Sequence, residues 1–404
     1  MSRALEEAVE RQRLARRLAT AVSKLEDPAA PVVVVDLDAF DANAADLARR
    51  ASGKPVRVAS KSIRVPALLT RAVHTDGFRG VLSYSVREAL WLVGEGLCDD
   101  VVMGYPTVDL PAVRQLVTDE HARASVTVLV DCRQHLDLLE TAGSAAGVRV
   151  AIDVDAGLRL GPAHVGPKRS PLADAAATVE LAREVVGRGF SLVGVMTYEG
   201  QVAGVPDEVP GQQAKSFVVR RLKAASVAQL AERRSQVAAA LAEVTELEFW
   251  NAGGSGSVET TVADPAVTEV AAGSGLLVPG LFDHYRSFRP RPAAFVGVPV
   301  VRRPSPEVAT VAGGGFVASG AAGADRLPLP WAPFGLHLTA LEGAGEVQTP
   351  LVGPGARDLD VGDWVWFRHA KAGELAEHAN TVHLVRDDAV VDSVPTYRGL
   401  GKAW

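Results

Sequence analysis

The stretch Arg57-Val58-Ala59-Ser60-Lys61, followed by Ser62-Ile63-Arg64-Val65-Pro66, decides the fold. A short, β-branched run ends on a lysine, and a helix-like segment begins at once. The same pattern recurs along the chain: a short run closed by turn residues, then 10 to 20 residues of helical character. Counting outward from Lys61, the predicted strands are 56–60, 79–83, 101–104, 125–130, 148–153, 191–197, 246–250 and 274–278. Eight such units predict a (β/α)8 TIM barrel, and a lysine at the end of a strand then points into the barrel mouth, where such barrels keep their sites.

The run Val32-Val33-Val34-Val35-Asp36 precedes the first counted strand. It reads as an extended lead-in from a second domain, with 41–50 as the first helix. A doubly wound sheet would carry a glycine fingerprint directly after such a run. Asp36-Leu37-Asp38-Ala39 has none, so the barrel is preferred. After Pro279 the texture changes to strand-like runs at 293–301, 308–312, 346–351, 363–368, 380–386 and 389–393, which predict a mostly antiparallel β domain. The Gly-, Ala- and Pro-rich stretch 318–335 reads as a long ordered loop. Residues 1–24 predict a helix from Leu5, Ala8, Leu14, Leu18 and Val22. The expected organisation is a barrel over 31–280 and a discontinuous β domain made of 1–30 plus 281–404.

Composition sets the bounds. A chain of 404 residues is too long for one ordinary core. Its 48% hydrophobic and 22% charged residues give an ordinary soluble balance. A net charge of −6 offers no basic field for nucleic acid. The two cysteines, Cys98 and Cys132, form no motif, which fits a reducing cytoplasm. No terminal stretch reads as a signal peptide or membrane span.

Several turns carry residues suited to chemistry. Asn251-Ala252-Gly253-Gly254-Ser255-Gly256-Ser257 and Gly273-Ser274-Gly275 are small enough for consecutive amides to close around a phosphate, with serine hydroxyls as further donors. The plainer reading of either turn is a flexible loop. Their place beside the seventh and eighth strands is where this fold often builds a phosphate site. Lysine and phosphate cradle together suggest pyridoxal phosphate. Such a lysine needs partial desolvation or a cationic neighbour, and Arg57 and Arg64 are candidates unless they are surface charges. Tyr198, in Tyr198-Glu199-Gly200-Gln201, either holds a cofactor oxygen and relays a proton or fills the core with a wet end. In the Asp153 to Gly161 stretch, Arg159 is placed against the pyridine nitrogen, where its fixed charge would oppose ring protonation.

These stations together resemble the fold-type III pyridoxal phosphate enzymes, whose barrel is that of the alanine racemase N-terminal domain. Within them they resemble the branch of D-threonine aldolase and D-serine dehydratase. Arg57 and Lys61 match the arginine and lysine of the branch's Arg-Pro-His-x-Lys-Thr-His stretch, and Tyr198-Glu199-Gly200-Gln201 matches its Tyr-x-Gly-His. Asp155-Ala156-Gly157-Leu158-Arg159-Leu160-Gly161 matches Asp-x-Gly-x-x-Arg-x-Gly with one residue fewer between glycine and arginine. Gly253-Gly254-Ser255-Gly256 matches the phosphate turn, and Gly275-Leu276-Leu277-Val278-Pro279-Gly280 a later stretch ending in Pro-Gly. The chain is also similar to actinobacterial relatives described as amino acid deaminase/aldolase.

The resemblance implies pyridoxal 5'-phosphate carried by Lys61 and held by Arg159, Tyr198, Asn251, Gly253, Gly254, Ser255, Gly256 and Gly275. It implies an amino acid substrate and a homodimer in which the β domain of one subunit covers the other's barrel mouth. It also implies a divalent metal at a His-x-Asp or His-x-Cys pair. Here the matching place is His369-Ala370-Lys371, where an ammonium has no lone pair to offer, so metal-free work by His369 and Lys371 is expected. The expected activity is lysis of a β-hydroxy D-amino acid, as aldolase or dehydratase. The alternatives are a racemase, with Lys61 and Tyr198 on opposite faces of the substrate, and a non-catalytic cofactor-binding protein.

Overall fold

Eight short runs, each flanked by helices, close on one another by parallel pairing. In order they are Val56–Ala59, Phe78–Ser83, Val101–Met103, Val126–Val130, Arg149–Asp153, Ser191–Thr197, Phe249–Ala252 and Glu269–Ala272, and the last pairs back to the first. The computed structural model describes residues 3–404 apart from residue 145. Strands such as Val-Arg-Val-Ala and Val-Thr-Val-Leu-Val are buried throughout, as expected where helices cover one face of a strand and the barrel interior the other. Alternate residues face inward. Val102, Leu129, Ala151, Val193, Met196 and Phe249 form their own buried cluster, while Val56, Val58, Val101 and Met103 pack outward with the helices.

Two boundaries differ from expectation. The eighth strand is Glu269–Ala272, and the expected strand 274–278 is instead the helical turn Ser274–Leu277. The true strand begins with a charge, Glu269, that faces the barrel interior, so it lacks the apolar run that marks the others. The first strand ends at Ala59, and Lys61 sits just beyond it in the 3-10 turn Ser60–Ser62.

Val32–Asp36 lies outside the barrel. It pairs antiparallel with Ala294–Ser305 and parallel with Thr381–Arg386, inside a nine-stranded sheet. By its hydrogen bonds this strand goes with the sheet, although residue 31 was the expected start of the barrel unit. The chain passes into the barrel along helix Leu37–Arg50, capped by the Asp36 carboxylate, which accepts from the Asp38 and Ala39 amides. The expected runs after Pro279 are all strands of this mostly antiparallel sheet. The expected loop 318–335 hides one more, Leu329–Ala332, paired with Trp364–Arg368. Pro328 and Pro330 disguise it, and proline is tolerated there because the strand has only one partner.

The N-terminal helix, Arg3–Val22, lays Ala15, Leu18, Ala21 and Val22 against Val32, Val34, Phe295, Trp366 and Val385 of the sheet. Leu5, one of the expected apolar positions, is exposed.

Candidate active site

Lys61 stands at the C-terminal rim of the barrel, its backbone backed by a loop of the other unit. A Cβ placed on Gly373, which adopts φ +97°, would fall 1.9 Å from the Lys61 carbonyl oxygen. Behind the same turn, Tyr397 donates from its amide to the Arg64 carbonyl at 2.9 Å and from its hydroxyl to Glu88 at 2.8 Å. Burial pushes the Glu88 carboxyl up to about 7, although it accepts bonds from the Tyr84 amide and from Ser60 and Tyr397. The lysine turn is therefore gripped from two sides.

The Lys61 ammonium donates to the Tyr105 hydroxyl at 2.7 Å. Tyr105 follows the third barrel strand by two residues, as Tyr198 follows the sixth by one. The Arg169 guanidinium lies over both rings, 5.0 Å from the Tyr198 centroid and 5.5 Å from that of Tyr105. Burial pushes the Tyr198 phenol above its ordinary value against the opposing charges of Lys61 and Arg169.

The two glycine turns complete the rim. Asn251, Gly253, Gly254, Ser255, Gly273 and Ser274 line the same small cavity as Lys61, about 80 Å3 in volume. Ser255 joins the turns: its hydroxyl accepts from the Gly275 amide at 2.9 Å and lies 3.4 Å from that of Ser274. Gly253, at φ +79°, turns its amide to the Glu199 carboxylate at 3.1 Å, and Arg234 holds Glu199 at 3.0 Å. The backbone comes so close here that a Cβ on Gly273 would stand 2.5 Å from the Ala59 carbonyl. Gly256 and Gly275 lie behind the cavity, Gly256 pressed against Ala203 and Tyr285.

Other expected participants stand elsewhere. Arg57 points into the barrel, paired with Glu269 at 2.7 Å and Asp100 at 2.7 Å, so its charge is neutralised away from Lys61. Arg159 is not in the cavity: it lies half-exposed on the hairpin Leu158–Leu160 with Ala163–Val165 and pairs with Asp155 at 2.9 Å. The hairpin turns Arg159 outward and brings Arg169 in. Neither Arg169 nor Tyr105 was named from the sequence; nothing local marks Arg169, whereas the place of Tyr105 just beyond a barrel strand is a signal that could have found it.

His369 and Lys371 do not line the cavity either. Trp364–Arg368 ends in a segment whose His369 and Ala370 carbonyls accept from the Gly280 and Leu281 amides at 3.0 and 3.1 Å. This docking buries the His369 ring with neither nitrogen bonded, and burial lowers its imidazolium to about 3. Lys371 turns to the Ser319 hydroxyl at 3.2 Å. A larger cleft, about 900 Å3, opens between helix Gln213–Leu241 and the β-domain strands, but it contains neither Lys61 nor the glycine turns. Among the described residues, Asp131, Cys132 and His135 are close enough to share a metal, at the end of the fourth barrel strand and away from His369.

The fold and this rim define a class: a β/α barrel with a lysine at the end of its first strand and a phosphate-sized glycine cradle at its last two. Residues 35–278 match the family of the alanine racemase N-terminal domain, and the chain belongs to that family. No protein of curated function matches it by sequence. Among solved structures it is similar to D-threonine aldolase from Filomicrobium marinum, with a TM-score of 0.75 and 22% identity over 92% of this chain and 95% of that one. It is similar to D-threo-3-hydroxyaspartate dehydratase from Delftia sp. HT23, with a TM-score of 0.70 and 19% identity over 93% and 98%. Alanine racemase from Oenococcus oeni is more distant, with a TM-score of 0.54 and 12% identity over 83% and 88%.

Proposed function

We propose that the chain is a pyridoxal phosphate-dependent lyase acting on a β-hydroxy D-amino acid, as an aldolase or a dehydratase. The observation that carries this reading is the meeting of Lys61 with both glycine turns in one cavity. The residues fit the cofactor. Gly253, Gly254, Ser255, Gly273 and Ser274 leave room for the phosphate where any larger residue would intrude, and Lys61 stands at the same cavity to carry the aldehyde carbon. When bound, pyridoxal phosphate accepts the electron pair left on the substrate's Cα.

The chain's own groups do the rest. Lys61 takes or returns the proton at Cα. Arg169, which lines the cavity beside the Tyr198 ring, offers a fixed charge to the substrate carboxylate. Tyr198 lines the same cavity beneath Arg169. The fold superposes better on the neighbours named as an aldolase and a dehydratase of D-amino acids, with TM-scores of 0.75 and 0.70, than on alanine racemases, at 0.54 to 0.58, which supports lysis over racemisation.

The metal implied by the resemblance does not fit the residues at its place. His369 offers one enclosed imidazole, and Lys371 a cation engaged with Ser319. No step is routed through a metal. No helix among the described residues is long and apolar enough to cross a membrane.

The test has two parts. Borohydride reduction of the cofactor-loaded protein should fix the cofactor on Lys61, seen as a mass shift of that peptide, and Lys61→Ala should lose both the label and turnover. Incubation with D- and L-threonine, serine and alanine should then give aldehyde plus glycine, or keto acid plus ammonia, from a D-substrate. Formation of the mirror-image amino acid alone would replace the lyase reading with a racemase.

A further inference from the structure

Tyr105 lies in none of the stretches that carry the family resemblance, yet it is in hydrogen-bond contact with the Lys61 amine. Its hydroxyl oxygen accepts from Nζ, so its own hydrogen is free to bond elsewhere, and Tyr105 lines the cavity. His369 and Lys371, which the sequence offered for work on the β-hydroxyl, are absent from that cavity.

We infer that Tyr105 is a catalytic residue that relays the proton of the substrate's β-hydroxyl to Lys61. The inference rests on the lyase reading and supplies its missing acid–base group. When Lys61 is released from covalent attachment, its Nζ would be a free amine with a lone pair. In the aldolase direction the β-hydroxyl gives its proton to Tyr105 Oη as Tyr105 passes its own to Nζ. The Cα–Cβ bond breaks, the hydroxyl oxygen's pair makes the aldehyde C=O, and the Cα–Cβ pair stays on Cα, where a bound cofactor would supply the electron sink. Lys61, now an ammonium, donates to Tyr105 Oη as it does in the structure, then returns the proton to Cα and completes glycine. Tyr105 leaves the cycle as it entered. Phenol and amine stand 2.7 Å apart in the structure, the contact a two-proton relay requires.

Arg169, over its ring, and Tyr198, beside it in the same cavity, are the other charged or titratable groups facing Tyr105. The phenol's coupling to Nζ is therefore open to measurement by a change at Tyr105 alone. Tyr105→Phe keeps the ring and its packing.

The variant should still bind the cofactor on Lys61 by mass, which also reports an intact fold, while the pH midpoint of the cofactor's visible band moves. Its kcat on the cleaved β-hydroxy substrate should fall about a hundredfold with KM nearly unchanged. Exchange of the α-hydrogen of D-alanine in deuterated solvent, which has no β-hydroxyl to deprotonate, should fall far less than cleavage does. An active wild type with an equally active Tyr105→Phe, or equal loss of cleavage and of D-alanine exchange, would overturn the relay alone. A wild type that exchanges D-alanine but cleaves no β-hydroxy amino acid would overturn the relay together with the lyase reading.

Discussion

Arg57 and Glu269 close the barrel from within: on the first and last strands they meet in two hydrogen bonds of 2.7 and 2.8 Å, both side chains buried. Asn251 adds a third bond to Glu269 at 2.8 Å, which ties this pair to the strand carrying the phosphate turn. Gly80 makes the space, since a Cβ there would sit 2.3 Å from the guanidinium. Removing one member leaves a buried charge short of its partner. Glu269→Ala is expected to cost about 3 to 5 kcal/mol, read from the urea midpoint. A loss under 1 kcal/mol would mean that Asp100 satisfies Arg57 unaided.

A second prediction concerns pH. Burial, with Asp131 adding repulsion, pushes the Asp153 carboxyl up to about 7, Arg169 opposing. Its folded state therefore holds a proton that the unfolded chain releases near pH 4. The stability this contributes is complete below about pH 4 and is lost as pH rises through about 7. Asp153→Asn removes the titration, so wild type should lose stability between pH 5 and 8 and the variant should lose less. Parallel denaturation curves for the two proteins would contradict the assignment.

His369 predicts the opposite slope. Its burial holds the ring neutral down to about pH 3, whereas an unfolded histidine charges near 6.5. That contribution is present above about pH 6.5 and lost as pH falls toward 3. His369→Phe should flatten the acid limb. Turnover of wild type should survive exhaustive chelation, and activity restored only by added divalent metal would return His369 to the site.

A fourth prediction is a homodimer. The open rim around Lys61 leaves Arg169 exposed, and a reactive carbanion needs water excluded. Sedimentation should give twice the chain mass, and a fully active monomer would refute the expectation.

The barrel was legible in the sequence because its strands are short, apolar and regularly spaced. Glu269–Ala272 escaped because its charge faces inward to Arg57, a pairing no periodicity records. Leu329–Ala332 escaped behind its prolines. At the site, Lys61 and the two glycine turns were marked by composition and position, and they converge on one cavity. Arg159 was named because it sits in a recognisable stretch, while Arg169 carries no such mark. The hairpin that separates them is set by pairing of 158–160 with 163–165, invisible to a linear reading.

The fit of Gly373 on the Lys61 carbonyl has a consequence for how such proteins diverge. A barrel and a β domain taken from different relatives would meet at this point with no slack, because any side chain at 373 drives into the turn that holds the lysine. Grafting one half onto a foreign other half should misplace the amine even where both halves fold, unless Gly373 and the Tyr397 clasp on Arg64 and Glu88 travel with it. The two units are bound to change together.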